Sequence, residues 1–355
     1  MSTPAFRQHA GNVIEPDERF KLMMAMTLDP RSKNHDGIIR CITDRSGEIG
    51  VRGNTDRSAL YKIHGDTLER FMIGEPLRME GAGALLQRLG GELWDFIGFE
   101  DPDIWIDDST GTMHVYFTIA LMSKDKARAH SLISLGHAEG KNLDTLVVTE
   151  PVITSSRTEY TNSAKEVSIA PENSRGVRLN LVESRDHLPN PRYRTENPES
   201  DPFIHYSTVR VATAKDMGKP WELGETVFHP AEHRIPWIAE HASPGPLLPR
   251  SFIDLGPNRL LGIMNGREAT AHDAHGKRIS YHMFSVGLFI YDYERGKIEW
   301  VSPEPLIRDS EAKTITFASQ FVETNPGEGI LYAHVDDSFV RAYTLYAEGI
   351  RPLLP

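Results

Sequence analysis

Four short segments of related character recur along the chain at nearly equal intervals: Glu75-Pro-Leu-Arg, Glu150-Pro-Val-Ile, Glu225-Thr-Val-Phe and Glu304-Pro-Leu-Ile. Their first residues stand 75, 75 and 79 positions apart. Each follows a comparable lead-in, Thr67-Leu-Glu-Arg-Phe, Asn142-Leu-Asp-Thr-Leu, Pro220-Trp-Glu-Leu and Lys297-Ile-Glu-Trp. A period of this size marks a repeated supersecondary unit that must stack on its neighbours to bury its apolar face. Within the units the apolar runs are short and β-rich, at 37–43, 58–64, 115–121, 130–138, 207–214, 259–264, 284–291 and 329–334. Gly, Pro, Asn and Asp punctuate them, as expected between strands. No long stretch carries the 3.6-residue period, and 67–71 and 81–89 read as short helical or irregular insertions.

The chain is therefore expected to be all-β. Its 355 residues hold nearly five units of this length. So many strands must hide their edges by closure, sandwiching or radial repetition. A five-bladed β-propeller, one domain over 1–355 with its terminal segments closing the ring, accounts for the period. A pair of β-sandwiches leaves it unexplained.

Composition narrows the partners. The chain is 39% hydrophobic and 25% charged, with a net charge of −11, which is ordinary globular material. That acidity, without a clustered basic segment, disfavours nucleic acid and anionic membranes. Cys41 is the sole cysteine, so no intramolecular disulfide forms, and its apolar setting predicts a buried, inert thiol. The N-terminus lacks an apolar leader core and no run approaches a membrane span, so a cytoplasmic protein is the default expectation.

The most pointed local feature is Glu100-Asp101-Pro102 ahead of Ile104-Trp105-Ile106, the turn Asp108-Ser109-Thr110-Gly111 and a second strand. Pro102 fixes its own φ and biases Asp101 toward extended backbone, while the turn closes a hairpin. An acidic pair is thus expected at a strand entrance. In a propeller the innermost strands deliver such residues to a shared central pocket. Other polar groups at expected entrances are Asp36, Lys165-Glu166, His241 and Asp336-Asp337.

Glu100-Asp101-Pro102-Asp103-Ile104 resembles the Glu-Asp-Pro-Arg-Ile signature of glycoside hydrolase family 130, the β-mannoside phosphorylases and hydrolases built on five-bladed propellers. Asn12-Val-Ile-Glu-Pro is similar to that family's opening Asn-Pro-Ile-Leu segment, and Asp36-Gly-Ile-Ile-Arg40 to its first-blade strand. Asn162-Ser-Ala-Lys165-Glu166 resembles its Asn-Lys-Asp element, and Trp237 to Pro249 its Trp…Gly-Xaa-Gly-Xaa-Pro-Pro segment. Ile263-Met-Asn265-Gly266 stands where the family commonly has Tyr-His-Gly, and Tyr332-Ala-His-Val-Asp336-Asp337 resembles its Tyr-Gly-Ala-Ala-Asp. The resemblance is thin but covers nearly the whole chain in order. It implies Asp101 as proton donor, with the proton travelling through a sugar hydroxyl.

Glycosidic cleavage needs one carboxyl to protonate the departing oxygen and a second group to activate the nucleophile. Asp101 is the expected acid, with Glu100 beside it as a catalytic or sugar-binding partner. Asp36, Glu166, Glu240 and Asp336 are the candidate bases. A phosphorylase would instead need cations for inorganic phosphate, and Arg40, Arg45, Lys165 and His241 are available. However, the family's Arg is Asp103 here and its His is Asn265, which favours hydrolysis over phosphorolysis. Asp103, Trp237 and Asn265 join the four cations as expected substrate- or phosphate-binding positions. Trp94, Trp105 and Tyr281 read as core or as sugar-stacking platforms.

His272-Asp-Ala-His275 and His282 lack a specific ligand spacing, so no metal and no cofactor are expected. The stretch 180–202 reads as a long polar loop, a lid or an oligomer contact. The expected partner is an oligosaccharide, with phosphate as co-substrate only in the phosphorylase alternative. A sugar-binding propeller without catalysis is the alternative from another class.

Overall fold

The computed structural model describes residues 3–46, 55–124, 131–155, 163–191, 193, 195–196, 202–272, 278–280 and 283–355. Its strands form consecutive antiparallel meanders. The first comprises Met23–Leu28, Asp36–Ser46, Thr55–Thr67 and Arg70–Pro76, and the second Trp94–Asp107, Thr112–Ser123, Ser131–Gly140 and Val147–Val148. The third comprises Lys165–Ser168, Arg178–Pro189, Phe203–Ala214 and Glu222–Phe228. His241–Leu247, Arg259–Arg267, Phe284–Asp292 and Lys297–Val301 make the fourth. In the last, Thr316–Asn325, Glu328–Val335 and Phe339–Tyr346 are completed by Phe6–Gln8 from the other end of the chain.

The recurrent segments mark the outer edge of each unit. Glu75 and Glu225 lie in the fourth strands of their meanders, and Glu150 and Glu304 directly follow theirs. All eight expected strand runs fall on second or third strands. The helix Ala82–Gly90 matches the insertion at 81–89.

Burial explains the arrangement. The second and third strands read as nearly unbroken apolar runs because both faces are covered. Ile38, Leu60, Met113 and Phe117 share a core between the first and second meanders, and Tyr116, Leu135, Val182 and Ala212 one between the second and third. Leu181, Val209, Met264 and Phe289 join the third to the fourth, and Leu261, Val286, Leu331 and Tyr343 the fourth to the fifth. Met26, Ile39, Val322 and Tyr332 then join the fifth back to the first. Apolar cores thus join each of these meanders to the next and the last to the first. Cys41 lies fully buried in the last of these cores, its thiol pushed up to about 12 by burial.

Each leading strand breaks register where it passes the centre: at Met24/Met26, Glu100/Asp103, Lys165/Val167, Pro244/Leu247 and Ala318/Gln320. Such bulges bend a strand and re-aim side chains. Ala25, Asp101 and Glu166 occupy the extra position in left-handed backbone, with φ of 45°, 48° and 47°. Residues from all five leading strands line one cavity of about 160 Å³, among them Ala25, Asp101, Glu166, Gly245 and Ser319.

Two sequence expectations are corrected here. Glu100 and Asp101 do not precede a strand; they sit inside Trp94–Asp107 at its bulge, and Asp101 is left-handed rather than extended. Of the expected loop at 180–202, residues 180–189 belong instead to the strand Arg178–Pro189, which pairs with Phe203–Ala214 along its whole length. Its consecutive polar residues Glu183 to His187 lie on a strand that becomes exposed toward Pro189.

The chain closure contains a buried ion pair. Arg341, 1% exposed, lies 2.7 Å from Asp309 and 2.9 Å from the exposed Glu311, and it donates to the His9 carbonyl at 3.1 Å. Tyr343 donates its hydroxyl to the same Asp309 carboxylate. Removing one member of a buried pair strands the other charge without water. Arg341→Ala should lower unfolding free energy in urea by ~3–5 kcal/mol, whereas Glu311→Ala, which removes an exposed partner, should cost no more than ~1 kcal/mol. Equal losses would show that the buried pair is not the stabilising element.

Candidate functional site

Arg40 organises one side of the centre. It projects from the second strand of the first meander and donates Nη1 to Asp101 Oδ1 at 3.0 Å and Nη2 to Glu100 Oε1 at 2.6 Å. Adjacent strand residues ordinarily face opposite ways; the bulge lets Glu100 and Asp101 reach the same guanidinium. Ser58 Oγ adds a hydrogen bond to Glu100 at 3.2 Å. Burial works against the charge on Arg40, but Glu100, Asp101 and Asp337 outweigh it and hold the guanidinium firmly protonated.

Across the centre stands a second cluster, from the third and fourth meanders. Glu183, 2% exposed, lies 3.6 Å from Lys165 Nζ and 3.1 Å from His241 Nε2. Burial would raise the Glu183 pKa, but His241 and Lys165 beside it drive it far below the carboxylate range. Lys165 loses solvation too, yet Glu183, Asp101, Glu166 and Glu100 keep it charged. The Phe284 ring meets His241 edge-on at 4.8 Å.

Glu166 connects the two clusters. It lines the central cavity with Asp101, and burial, reinforced by the Asp101 charge, pushes its pKa well above the carboxylate range. Two carboxyls facing one poorly solvated space do not both ionise readily. Asp103 lines the same cavity and is raised to about 7, burial outweighing hydrogen bonds from Ile104 N–H and Thr27.

The other expected site residues fall elsewhere. Asp36 begins the second strand of its meander, not the leading one; it is four residues from Arg40 at the opposite end of the sheet and pairs with His64 at 2.7 Å. Asp336 accepts the backbone N–H groups of Lys313, Thr314 and Ile315, so it caps a loop. Glu240 is held by Arg267 at 3.2 Å and by Thr270, and Arg45 by Asp56 at 2.6 Å. Trp237 is buried, donates to the Ser302 carbonyl and packs where Gly266 and Gly287 leave room. Asn265 bonds both the N–H and C=O of Ala318, tying the fourth meander to the leading strand of the fifth. Trp94 packs in the core, whereas Trp105 lines the cavity. Tyr281, His275 and His282 lie outside the described residues.

Sequence reasoning missed Glu183 and chose the wrong member of Asp336-Asp337. Glu183 had a signal: an acid directly after Leu179-Asn180-Leu181-Val182, three large apolar residues around one asparagine. Asp337 accepts a hydrogen bond from His334 Nε2–H at 3.1 Å, since His334 Nδ1 accepts from Ala25 N–H, and its charge acts on Arg40 and Arg45.

No protein-family model matches the chain, and neither does any curated protein. Solved structures do share its fold over nearly the full length. One is a putative glycosidase from Bacteroides thetaiotaomicron, 16% identical, with 96% of each chain covered and a TM-score of 0.64. Another is a β-1,2-mannobiose phosphorylase from Listeria innocua in complex with β-1,2-mannobiose, 13% identical over 96% of this chain and 94% of that one, TM-score 0.59. A mannose phosphorylase from Leishmania mexicana in complex with phosphate ion follows at 13% identity, 98% and 91% coverage and TM-score 0.54. At these identities the likeness is one of fold.

Asp103 gives a pH prediction. Its folded-state pKa of about 7 lies above the ordinary 3.8, so the folded chain holds this proton more tightly than the unfolded chain. The associated stability is complete below pH ~4 and lost as pH rises to ~7, amounting to at most ~4 kcal/mol. Thermal denaturation of wild type and Asp103→Asn should therefore diverge, wild type losing more stability between pH 5 and 8. Parallel profiles would contradict the raised pKa.

Proposed function

We propose that this chain is a glycoside hydrolase, a single five-bladed β-propeller over 1–355, acting on β-mannosides or related oligosaccharides through a central carboxylate pair. The observation that carries this reading is the placement of Asp101 and Glu166 on matching bulges of neighbouring leading strands, facing one cavity. The closed circuit of five meanders supports the blade count. The mannoside phosphorylases and glycosidase that share the fold support the substrate class.

The pair holds one proton at neutral pH, because the raised Glu166 and its neighbour disfavour double ionisation. Burial and the Asp101 charge keep that proton on Glu166 in the resting site; Asp101, on the motif that resembles the family signature, receives it and delivers it to the departing oxygen. Glu166 is then the carboxylate that takes a proton from water. Arg40 keeps Asp101 aimed, and the Glu183 group fixes Lys165 and His241 where sugar hydroxyls can meet them.

Charge favours water over phosphate as nucleophile. Among the described residues, the central cations already face carboxyl groups: Arg40 faces Glu100 and Asp101, and Lys165 faces Glu183. A phosphate dianion would have to displace these partners. The site is rich in acids, which suits a neutral substrate.

Asp101→Asn should lower kcat on unactivated mannosides by ~10²–10⁴-fold yet retain most activity on aryl glycosides whose leaving group needs no proton. Glu166→Gln should lose both activities. The reverse pattern would exchange the roles. The kcat/KM profile of wild type should be bell-shaped, falling as pH rises past the pair's upper apparent pKa and again as the second carboxyl is protonated. Turnover should be independent of added phosphate and release free sugar. A strict phosphate requirement with sugar 1-phosphate as product would make the enzyme a phosphorylase, and saturable sugar binding without turnover would make it a binding protein.

A further inference from the structure

Away from the centre, the second meander places two histidines and a glutamate on one face. His114 and Glu139 are direct cross-strand partners, and Tyr116 is opposite His137 in the next pair, so all four side chains share that face. His114 Nδ1 lies 2.9 Å from His137 Nε2 and 4.0 Å from Glu139 Oε2, and the three donor atoms fall within 4.8 Å of one another. Both rings are buried, whereas the Glu139 side chain is 47% exposed.

Hydrogen bonding fixes which nitrogen is bare. Thr149 Oγ1 donates to the Glu150 carbonyl at 2.9 Å, so it accepts from His137 Nδ1–H at 2.7 Å. His137 Nε2 therefore presents its lone pair to His114. A histidine ligand whose other nitrogen is held by an oxygen is the usual arrangement around a metal.

The third meander provides a roof. Gly218 has ordinary negative-side backbone rather than the left-handed φ that demands glycine. Its requirement is space: a Cβ there would lie 2.8 Å from Glu139 Oε2 and 3.5 Å from the His137 ring, with Asp216 Oδ1 at 3.6 Å. The Asp216 charge also acts on His114. Glycine thus keeps open the space above the three donors, with a further carboxylate at its rim.

We propose that His114, His137 and Glu139 form a binding site for a borderline divalent metal of the zinc class on the second meander, beneath the 215–218 turn of the third. Nitrogen and carboxylate donors suit this class, and ligands at 2.0–2.2 Å from a tetrahedral ion lie roughly 3.3 Å apart. The two nitrogens need to part by a few tenths of an ångström, and the half-exposed Glu139 has the freedom to close in. His114 moves its proton from Nδ1 to Nε2, so binding transfers no net proton at that ring.

The test is titration of chelator-stripped, tag-free full-length protein with Zn²⁺ by calorimetry and with Co²⁺ by visible absorption. One equivalent should bind, with the ligand-field bands of nitrogen-ligated Co²⁺ and a rise in melting temperature. His137→Gln should abolish binding, Glu139→Gln should weaken it at least ~10-fold, and Thr149→Val, which removes the group orienting His137, should weaken it ~10–100-fold. Absence of binding at millimolar Zn²⁺, or unchanged affinity in Glu139→Gln and His137→Gln, would overturn the proposal. If His137→Gln does not fold, the surface variant Glu139→Gln decides alone. Because His114 packs against Trp105, which lines the central cavity, metal binding itself and not glycosidase activity is the readout.

Discussion

Everything at the centre depends on the apolar circuit that binds each meander to the next and the last to the first. Residues such as Met26 and Ile39 pack on Val322 and Tyr332 across the join between the chain's two ends, while Phe6–Gln8 completes the final sheet. Closure covers sheet faces that would otherwise be exposed. It also holds the leading strands side by side around one small cavity. Without that constraint Asp101 and Glu166 would belong to separate sheets with no fixed relation.

The cost of the arrangement is concentrated in the leading strands. Their bulges break ladder register, and Ala25, Asp101 and Glu166 hold left-handed backbone that side-chain-bearing residues seldom adopt. Strain of this kind persists where surrounding structure over-determines it, and it clusters at functional sites. Here the compensation is visible in contacts. Arg40 grips the Asp101 bulge, Lys165 next to Glu166 is held by Glu183, and Asn265 holds Ala318 beside the fifth.

How much of this was legible depended on what each strand must do. Runs such as 115–121 and 284–291 have both faces buried and announce themselves as β-rich stretches. Met23–Leu28 and His241–Leu247 were not identified as strands, because a bulge interrupts the alternation and Pro244-Gly245-Pro246 reads as loop. The error over Asp36 has the same origin: with Met23–Leu28 unseen, the next strand looked like the leading one, and its entrance like the route to the centre. Trp237 and Asn265 were misread for another reason, since a resemblance in order does not say which side chains reach the cavity and which brace its walls.

The sequence by itself determined the β composition, the repeat length and the acidic motif, because periodicity and residue type are local properties that survive without coordinates. Tertiary structure alone decided which charges meet. Glu183 and Lys165 meet at 3.6 Å as cross-strand partners, and Arg40 reaches Glu100 across sixty residues. The proton balance of such a group depends on burial and on charges a few ångströms away. Neither distance nor solvent exclusion exists until the sheets have closed on one another.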